Sequence, residues 1–198
     1  FEDLPMTDEF NADYVYTVDE ITAVSGYTTT YSEDTLTITN TLDLTERSVT
    51  KIWDDFDDIY GLRPDGVMVQ LLQNDVAFGD PVELNEGNFW SHTFEDLPET
   101  DEFDADYVYT IEEISDVPGY TTAYSEDTLT ITNTLDTVDI AVEKIWDDFD
   151  DEYGLRPDSI MVQLLQDDIA FGDPVALNEG NLWSHTFEDL PETSAADV

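Results

Sequence analysis

Hydrophobic and polar residues alternate along this chain in short runs, and no stretch sustains a 3.6-residue period. Between residues 45 and 137 the runs are Ser48–Trp53, Val67–Gln73, Pro81–Leu84, Phe89–Phe94, Tyr107–Glu113, Tyr120–Tyr124 and Thr128–Thr134. Asn74-Asp75, Asn85-Glu86-Gly87-Asn88, Pro118-Gly119 and Ser125-Glu126-Asp127 supply turns between them. In a strand, every second side chain lies on the same face. Val49, Lys51 and Trp53 therefore share one face of the first run. Tyr107, Tyr109, Ile111 and Glu113 share a face of the fifth, and Leu129, Ile131 and Asn133 a face of the last. About seven short strands in a segment of this length predict an all-β, immunoglobulin-like sandwich.

The pattern recurs with a fixed period. Phe-Glu-Asp-Leu-Pro starts at Phe1, Phe94 and Phe187, and Lys-Ile-Trp-Asp-Asp at Lys51 and Lys144, in each case 93 residues apart. Overlaying 1–105 on 94–198 gives 80 identities in 105 positions. A repeat of this size is a small domain rather than a solenoid unit. Mismatches cluster at 44–50 against 137–143, where a linker is expected. That phase makes 1–44 the C-terminal half of one repeat, 45–137 a complete repeat and 138–198 the N-terminal part of a further one. Both ends of the sequence then fall inside a domain.

Composition narrows the possible partners. The chain has 198 residues, 49 Asp+Glu against 5 Lys+Arg, and a formal net charge of −44. Such a surface repels nucleic acid and anionic membranes. No apolar run reaches the roughly 20 residues that insertion across a membrane requires. Disorder, which high charge alone would suggest, is opposed by 40% hydrophobic and 12% aromatic residues. The absence of Cys excludes disulfides and thiolate metal sites.

Three polar residues interrupt the apolar faces: Lys51, Glu113 and Asn133. Burying any one alone costs several kcal/mol. The neighbouring repeats carry the same substitutions, as Lys144 in one and Glu20 with Asn40 in the other. Lys51 and Lys144 are moreover the only lysines in the chain. Burial favours the uncharged forms of both amines and carboxyls. A neutral amine is a nucleophile, and a protonated carboxyl can polarise a carboxamide and shuttle protons. Attack of the lysine on the asparagine would expel ammonia and leave an isopeptide bond. An ordinary Lys51–Glu113 ion pair near a sheet edge is the competing reading. Glu112, on the opposite face, is a weaker candidate for the acid.

These residues lie in motifs that resemble the Cna protein B-type (CnaB) domains of Gram-positive surface proteins and pili. The matching stretches are Val49-Thr-Lys-Ile-Trp-Asp-Asp, Gly61-Leu-Arg-Pro-Asp, Val69-Gln-Leu-Leu, Leu84-Asn-Glu, Trp90-Ser-His-Thr-Phe-Glu-Asp-Leu-Pro, Tyr109-Thr-Ile-Glu-Glu, Pro118-Gly-Tyr and Thr130-Ile-Thr-Asn-Thr. The resemblance implies an immunoglobulin-like or transthyretin-like sandwich with a self-formed Lys–Asn isopeptide bond. Carried over, the cross-linked residues are Lys51 with Asn133, and Lys144 and Asn40 in their own repeats, with Glu113 and Glu20 as the acids. The family's usual Ala-Pro-x-Gly-Tyr is replaced here by Asp116-Val117-Pro118-Gly119-Tyr120.

Other residues carry weaker signals. Asp54, Asp55, Asp57 and Asp58 precede Gly61 and could offer oxygens to Ca²⁺, but lack EF-hand spacing. A solvated loop is the plainer expectation. His92 and His185 are single histidines on expected strands, without a second His or a Cys in their repeat. Arg63 and Arg156 are expected to pair with local carboxylates. Trp53 and Trp146 share the lysine face and are expected in the core. The expected function is a structural segment of an extracellular, cell-surface or cell-wall fibre, stalk or pilus. Its partners would be neighbouring repeats, or identical chains arranged head to tail in a filament, and it would need no cofactor. The alternative is an adhesin whose repeats hold a host or polysaccharide ligand, with or without Ca²⁺. Turnover catalysis is not expected, because the only chemistry assembled acts once on the chain itself.

Overall fold

The computed structural model describes residues 3–193. Residues of the leading partial repeat form β1 (Tyr27–Tyr31) and β2 (Ile38–Leu42), paired antiparallel. The complete repeat forms β3 (Leu44–Asp54), β4 (Gly66–Gln73), β5 (Val76–Ala77), β6 (Val82–Asn85), β7 (Ser91–Pro98), β8 (Tyr109–Glu113), β9 (Tyr120–Tyr124) and β10 (Thr130–Leu135). The trailing partial repeat forms β11 (Thr137–Glu143), β12 (Ser159–Gln166), β13 (Ile169–Asn178) and β14 (Ser184–Pro191).

The complete repeat is a sandwich of two sheets. One has the order β7-β3-β10-β9, and in the other β4 pairs with β5, β6 and β8. In the trailing repeat β11 pairs with β14, and β12 with β13. Two compact units emerge among the described residues. The first comprises the chain up to Ile52, with Asp65–Ser115 and Ala123–Thr132. The second comprises Trp53–Pro64, Asp116–Thr122 and the chain from Asn133 onward. Neither unit coincides with one sequence repeat.

Alternation explains the core of the first unit. Val67, Val69 and Leu71 on β4, Leu84 on β6, Tyr109 and Ile111 on β8, Val49 on β3 and Ile131 are all buried. Each such aliphatic side chain contributes about 1.5–3 kcal/mol by leaving water. The second unit buries Leu62, Val117, Tyr120, Leu135 and Leu177.

Most strands are offset by one or more residues from the pattern-based expectation, β8 and β10 starting two residues late, and β5 was not expected; two of the shifts have a clear local cause. The strand expected over Phe89–Phe94 starts only at Ser91. Phe89 and Trp90 instead adopt left-handed φ of 56° and 55°. The cause is a reciprocal cap on the preceding Glu86–Asn88 turn. The Asn85 side chain accepts the Asn88 N–H, and the Asn88 side chain accepts the Asn85 N–H. The same turn recurs over Asn178–Trp183. At the other boundary, the strand expected from Ser48 begins at Leu44, because Leu44 and Thr45 pair with Pro98 and Leu97. The expected linker is therefore largely strand.

Candidate functional site

Lys51 lies on β3 and is carried inward by the alternation that buries Val49. Its backbone N–H donates to the Trp90 carbonyl at 2.8 Å, which fixes its rotation about the strand. Glu113 ends β8, opposite Val69 of β4, two residues beyond buried Ile111. Its backbone N–H donates to the Tyr124 hydroxyl at 3.1 Å. Lys51 Nζ stands 3.4 Å from Glu113 Oε2, with the two side chains 0% and 2% exposed. β3 is flanked on both sides by strands, whereas β8 pairs only with β4 among the described residues and so lies at the edge of its sheet. Glu112, by contrast, is exposed.

Asn133 is 0% exposed and lies on β10, the strand beside β3 in the sheet order. Just before β10, the Leu129 carbonyl accepts the Thr50 N–H at 3.0 Å. A buried ion pair gains little net stability, since desolvation offsets much of its attraction. Removing one partner is costly, because the other charge stays buried.

The segments 3–44 and 137–193 hold portions of the same arrangement. In the leading one, Asn40 Nδ2 donates to Glu20 Oε1 at 3.1 Å, and the Glu20 N–H donates to the Tyr31 hydroxyl at 3.1 Å. Asn40 is exposed there. In the trailing one, Lys144 is half-buried. Its Nζ donates to the Ile145 carbonyl at 3.0 Å and lies 4.4 Å from the Trp146 ring centre.

The acidic loop is organised by arginine. Arg63 Nε donates to Asp55 Oδ2 at 2.9 Å and Nη2 to Asp55 Oδ1 at 2.5 Å, a bidentate pair. The Tyr120 hydroxyl donates to the same Oδ2 at 3.2 Å, and the Arg63 backbone N–H donates to Asp58 Oδ1 at 2.9 Å. Phe56, Asp57 and Asp58 all take left-handed φ near 58° (57°, 58° and 58°), a conformation that L-residues disfavour. The Arg63 contacts hold that strained turn in place. Burial pushes the Asp55 carboxyl up, but the hydrogen bonds and charge of Arg63 outweigh it and hold it below the usual carboxylate value. Burial, with the adjacent Asp55 charge, pushes the Tyr120 phenol well up.

Arg156 repeats the pairing on Asp148 at 2.6 Å, on a carboxylate 29% exposed. The expected arginine–carboxylate pairs are thus present in both repeats. Of the four aspartates weighed as Ca²⁺ ligands, Asp55 and Asp58 already accept from Arg63. Among the described residues no three His, Asp or Glu side chains converge as a metal-holding group. His92 and His185 stack edge-on against Phe94 and Phe187, each at 4.7 Å. The part played by Tyr120 was not anticipated. Its ring also meets Trp53 edge-on at 5.2 Å, opposite an Arg63 guanidinium 5.6 Å from the Trp53 ring.

The Cna protein B-type domain model matches residues 1–41, 47–134 and 140–197. The chain belongs to this family. A curated relative, the collagen adhesin of Staphylococcus aureus, is 39% identical over 198 residues, covering 97% of this chain. The chain spans only 16% of that adhesin's length. The crystal structure of two B repeat units of the S. aureus collagen binding protein Cna aligns over 98% of this chain and 52% of that one, at 36% identity and a TM-score of 0.50. A single B repeat unit of the same protein aligns over 76% of this chain and 79% of its own, at 37% identity and a TM-score of 0.43. The Cna B-type assignment accounts for the all-β sandwich and the tandem order of the repeats.

Proposed function

We propose that the chain is a structural segment of an extracellular, surface-attached stalk or pilus-like fibre, braced in each complete repeat by a self-formed Lys–Asn isopeptide bond. One observation carries this reading. Lys51 and Glu113 stand 3.4 Å apart with both side chains sealed from water, and the fully buried Asn133 lies on the strand beside Lys51. Glu113 takes a proton from the Lys51 ammonium, and the neutral Nζ attacks Asn133 Cγ. A C–N bond forms as the bond from Cγ to Nδ2 breaks. Glu113 carries both protons lost by the lysine to the departing nitrogen, which leaves as ammonium. The chemistry occurs once per domain, because it consumes Lys51 and Asn133.

The bond ties the first strand of the repeat to the last, so force along the chain bypasses the 81 residues between 51 and 133. Extreme acidity keeps neighbouring stalks apart. Pulling single chains by their ends tests this role. The native complete repeat should not release those residues at any force short of covalent rupture. Lys51→Ala should add an extension of about 280 Å, at roughly 3.4 Å per residue. Full extension of the native chain would contradict the brace.

A repeat-borne adhesive surface is the second reading, favoured by Phe10 and Phe103. They are 82% and 80% exposed on loops braced by Asp8 and Asp101, each of which accepts two backbone N–H groups. Glycan binding lost on the double Phe10→Ala, Phe103→Ala substitution would support it. Absence of any such binding would remove it.

A further inference from the structure

Consecutive repeats are separated by a single residue. β2 ends at Leu42 and β3 begins at Leu44, leaving Asp43 between them. β10 ends at Leu135 and β11 begins at Thr137, leaving Asp136. We propose that these aspartates are locked joints, in which the glycine corner of one repeat is a socket for the Leu-Pro-Glu-Thr corner of the next. The partner this surface fits is therefore the following repeat of the same chain.

The joint residue is bonded through both main-chain groups and one carboxylate oxygen. The Asp43 N–H donates to the Gly26 carbonyl of its own repeat at 2.8 Å, and its carbonyl accepts the Glu99 N–H of the next at 3.1 Å. Its Oδ1 accepts the Thr28 hydroxyl at 2.6 Å. The second joint reproduces these contacts. The Asp136 N–H donates to Gly119 at 2.9 Å, its carbonyl accepts Glu192 N–H at 3.1 Å, and its Oδ1 accepts the Thr121 hydroxyl at 2.6 Å. A one-residue connector with both main-chain groups bonded has no soft dihedral left to swing about.

Steric fit closes the socket. Gly26 and Gly119 take φ of +73° and +78°, which side chains rarely adopt. A Cβ on Gly26 would lie 3.1 Å from Thr100 Oγ1, and one on Gly119 only 2.1 Å from Thr193 Oγ1. Both threonine hydroxyls are buried without a hydrogen-bond partner among the described residues, so these contacts are packing contacts. Internal comparison agrees. Gly-Tyr-Thr-Thr, Thr-Leu-Asp and Leu-Pro-Glu-Thr are identical at both joints, whereas Leu44-Thr-Glu-Arg-Ser has become Thr137-Val-Asp-Ile-Ala immediately afterwards. Identity between repeats is kept where the joint bonds form and is lost one residue later.

The inference rests on the fibre reading, since a stiff joint matters for a stalk, and its test uses the full chain by NMR. Residual dipolar couplings from 45–135 and from 137–193 should fit one alignment tensor, and the Asp136 and Glu192 amides should be protected from exchange. Gly119→Val should speed their exchange about tenfold or more while the Leu71 amide, deep in β4, is unchanged. Insertion of Gly-Gly after Asp136, which disturbs neither glycine corner nor strand, should split the couplings into two tensors. Thr193→Val, which keeps the shape, should change neither observable. Two independent tensors in the native chain, or one tensor after the insertion, would overturn the joint. Either result with an ammonia deficit intact leaves the cross-link standing. A rigid joint with no deficit removes the cross-link alone.

Discussion

The two lysines of the chain occupy the same pentapeptide and reach different surroundings. Lys51 is sealed in a core against Glu113, with strands on both sides of its own. Lys144 is half-buried on the Trp146 ring; its nitrogen donates to the carbonyl of the next residue, as that of Lys51 also does, but among the described residues it meets no carboxylate that compares with Glu113. The difference is supplied by a residue distant in sequence, the acid that ends β8. A local motif thus places an amine on a face, and only the assembled sandwich buries it. The arginines show the same contrast more weakly: Asp55 is 2% exposed beneath Tyr120, whereas the Asp148 side chain is 29% exposed.

The largest expected effect separates the lysines. Lys51→Ala removes a cross-link closing 82 residues, a loss of about 4 kcal/mol by the loop-entropy treatment of disulfides. The stranded Glu113 adds to it. Lys144→Ala should cost less than about 1 kcal/mol, the worth of a partly exposed cation–π contact. Denaturant titration of both variants breaks the comparison if the two losses are equal.

Next come the arginines. Arg63→Ala strands a buried carboxylate and should destabilise by about 3 kcal/mol. Arg156→Ala should cost much less, because its pair with Asp148 is open to solvent. The same melting experiments read both.

A smaller effect is expected with pH. The Asp55 carboxyl is held below its unfolded value, so its contribution is complete above the ordinary carboxylate range and disappears as pH falls through the lowered one. The melting temperature should therefore fall as the pH drops below the ordinary carboxylate range, and that fall should be shallower in Arg63→Ala. An equally steep acid limb in the variant would detach Asp55 from the effect.

The smallest expected change is on chelation. With Asp55 and Asp58 bonded to Arg63, removal of divalent ions should move the melting temperature by less than about 1 °C. A larger fall restored by Ca²⁺ and not by Mg²⁺ would turn the account toward a Ca²⁺-dependent adhesin.

Much of this was legible in the residue pattern. Period-two alternation put Lys51, Glu113 and Asn133 on inward faces, and each is buried in the complete repeat. Turn chemistry was less legible. Phe89 and Trp90 read as strand, yet the Asn85–Asn88 cap bends them into left-handed φ. The Tyr120–Asp55 contact spans 65 positions and leaves no local signature. The one-residue joints were hidden because residues 44–50, where the repeats diverge, looked like linker and fold as strand.

The most direct test of the central claim is the intact mass of the folded chain, followed by fragmentation of its proteolytic peptides. The account predicts a mass lower than the sequence value by one ammonia, and a branched peptide joining Lys51 to Asn133. In Lys51→Ala and in Glu113→Ala both should be absent. The full sequence mass in the native chain, with Lys51 open to amine reagents after unfolding, would contradict it.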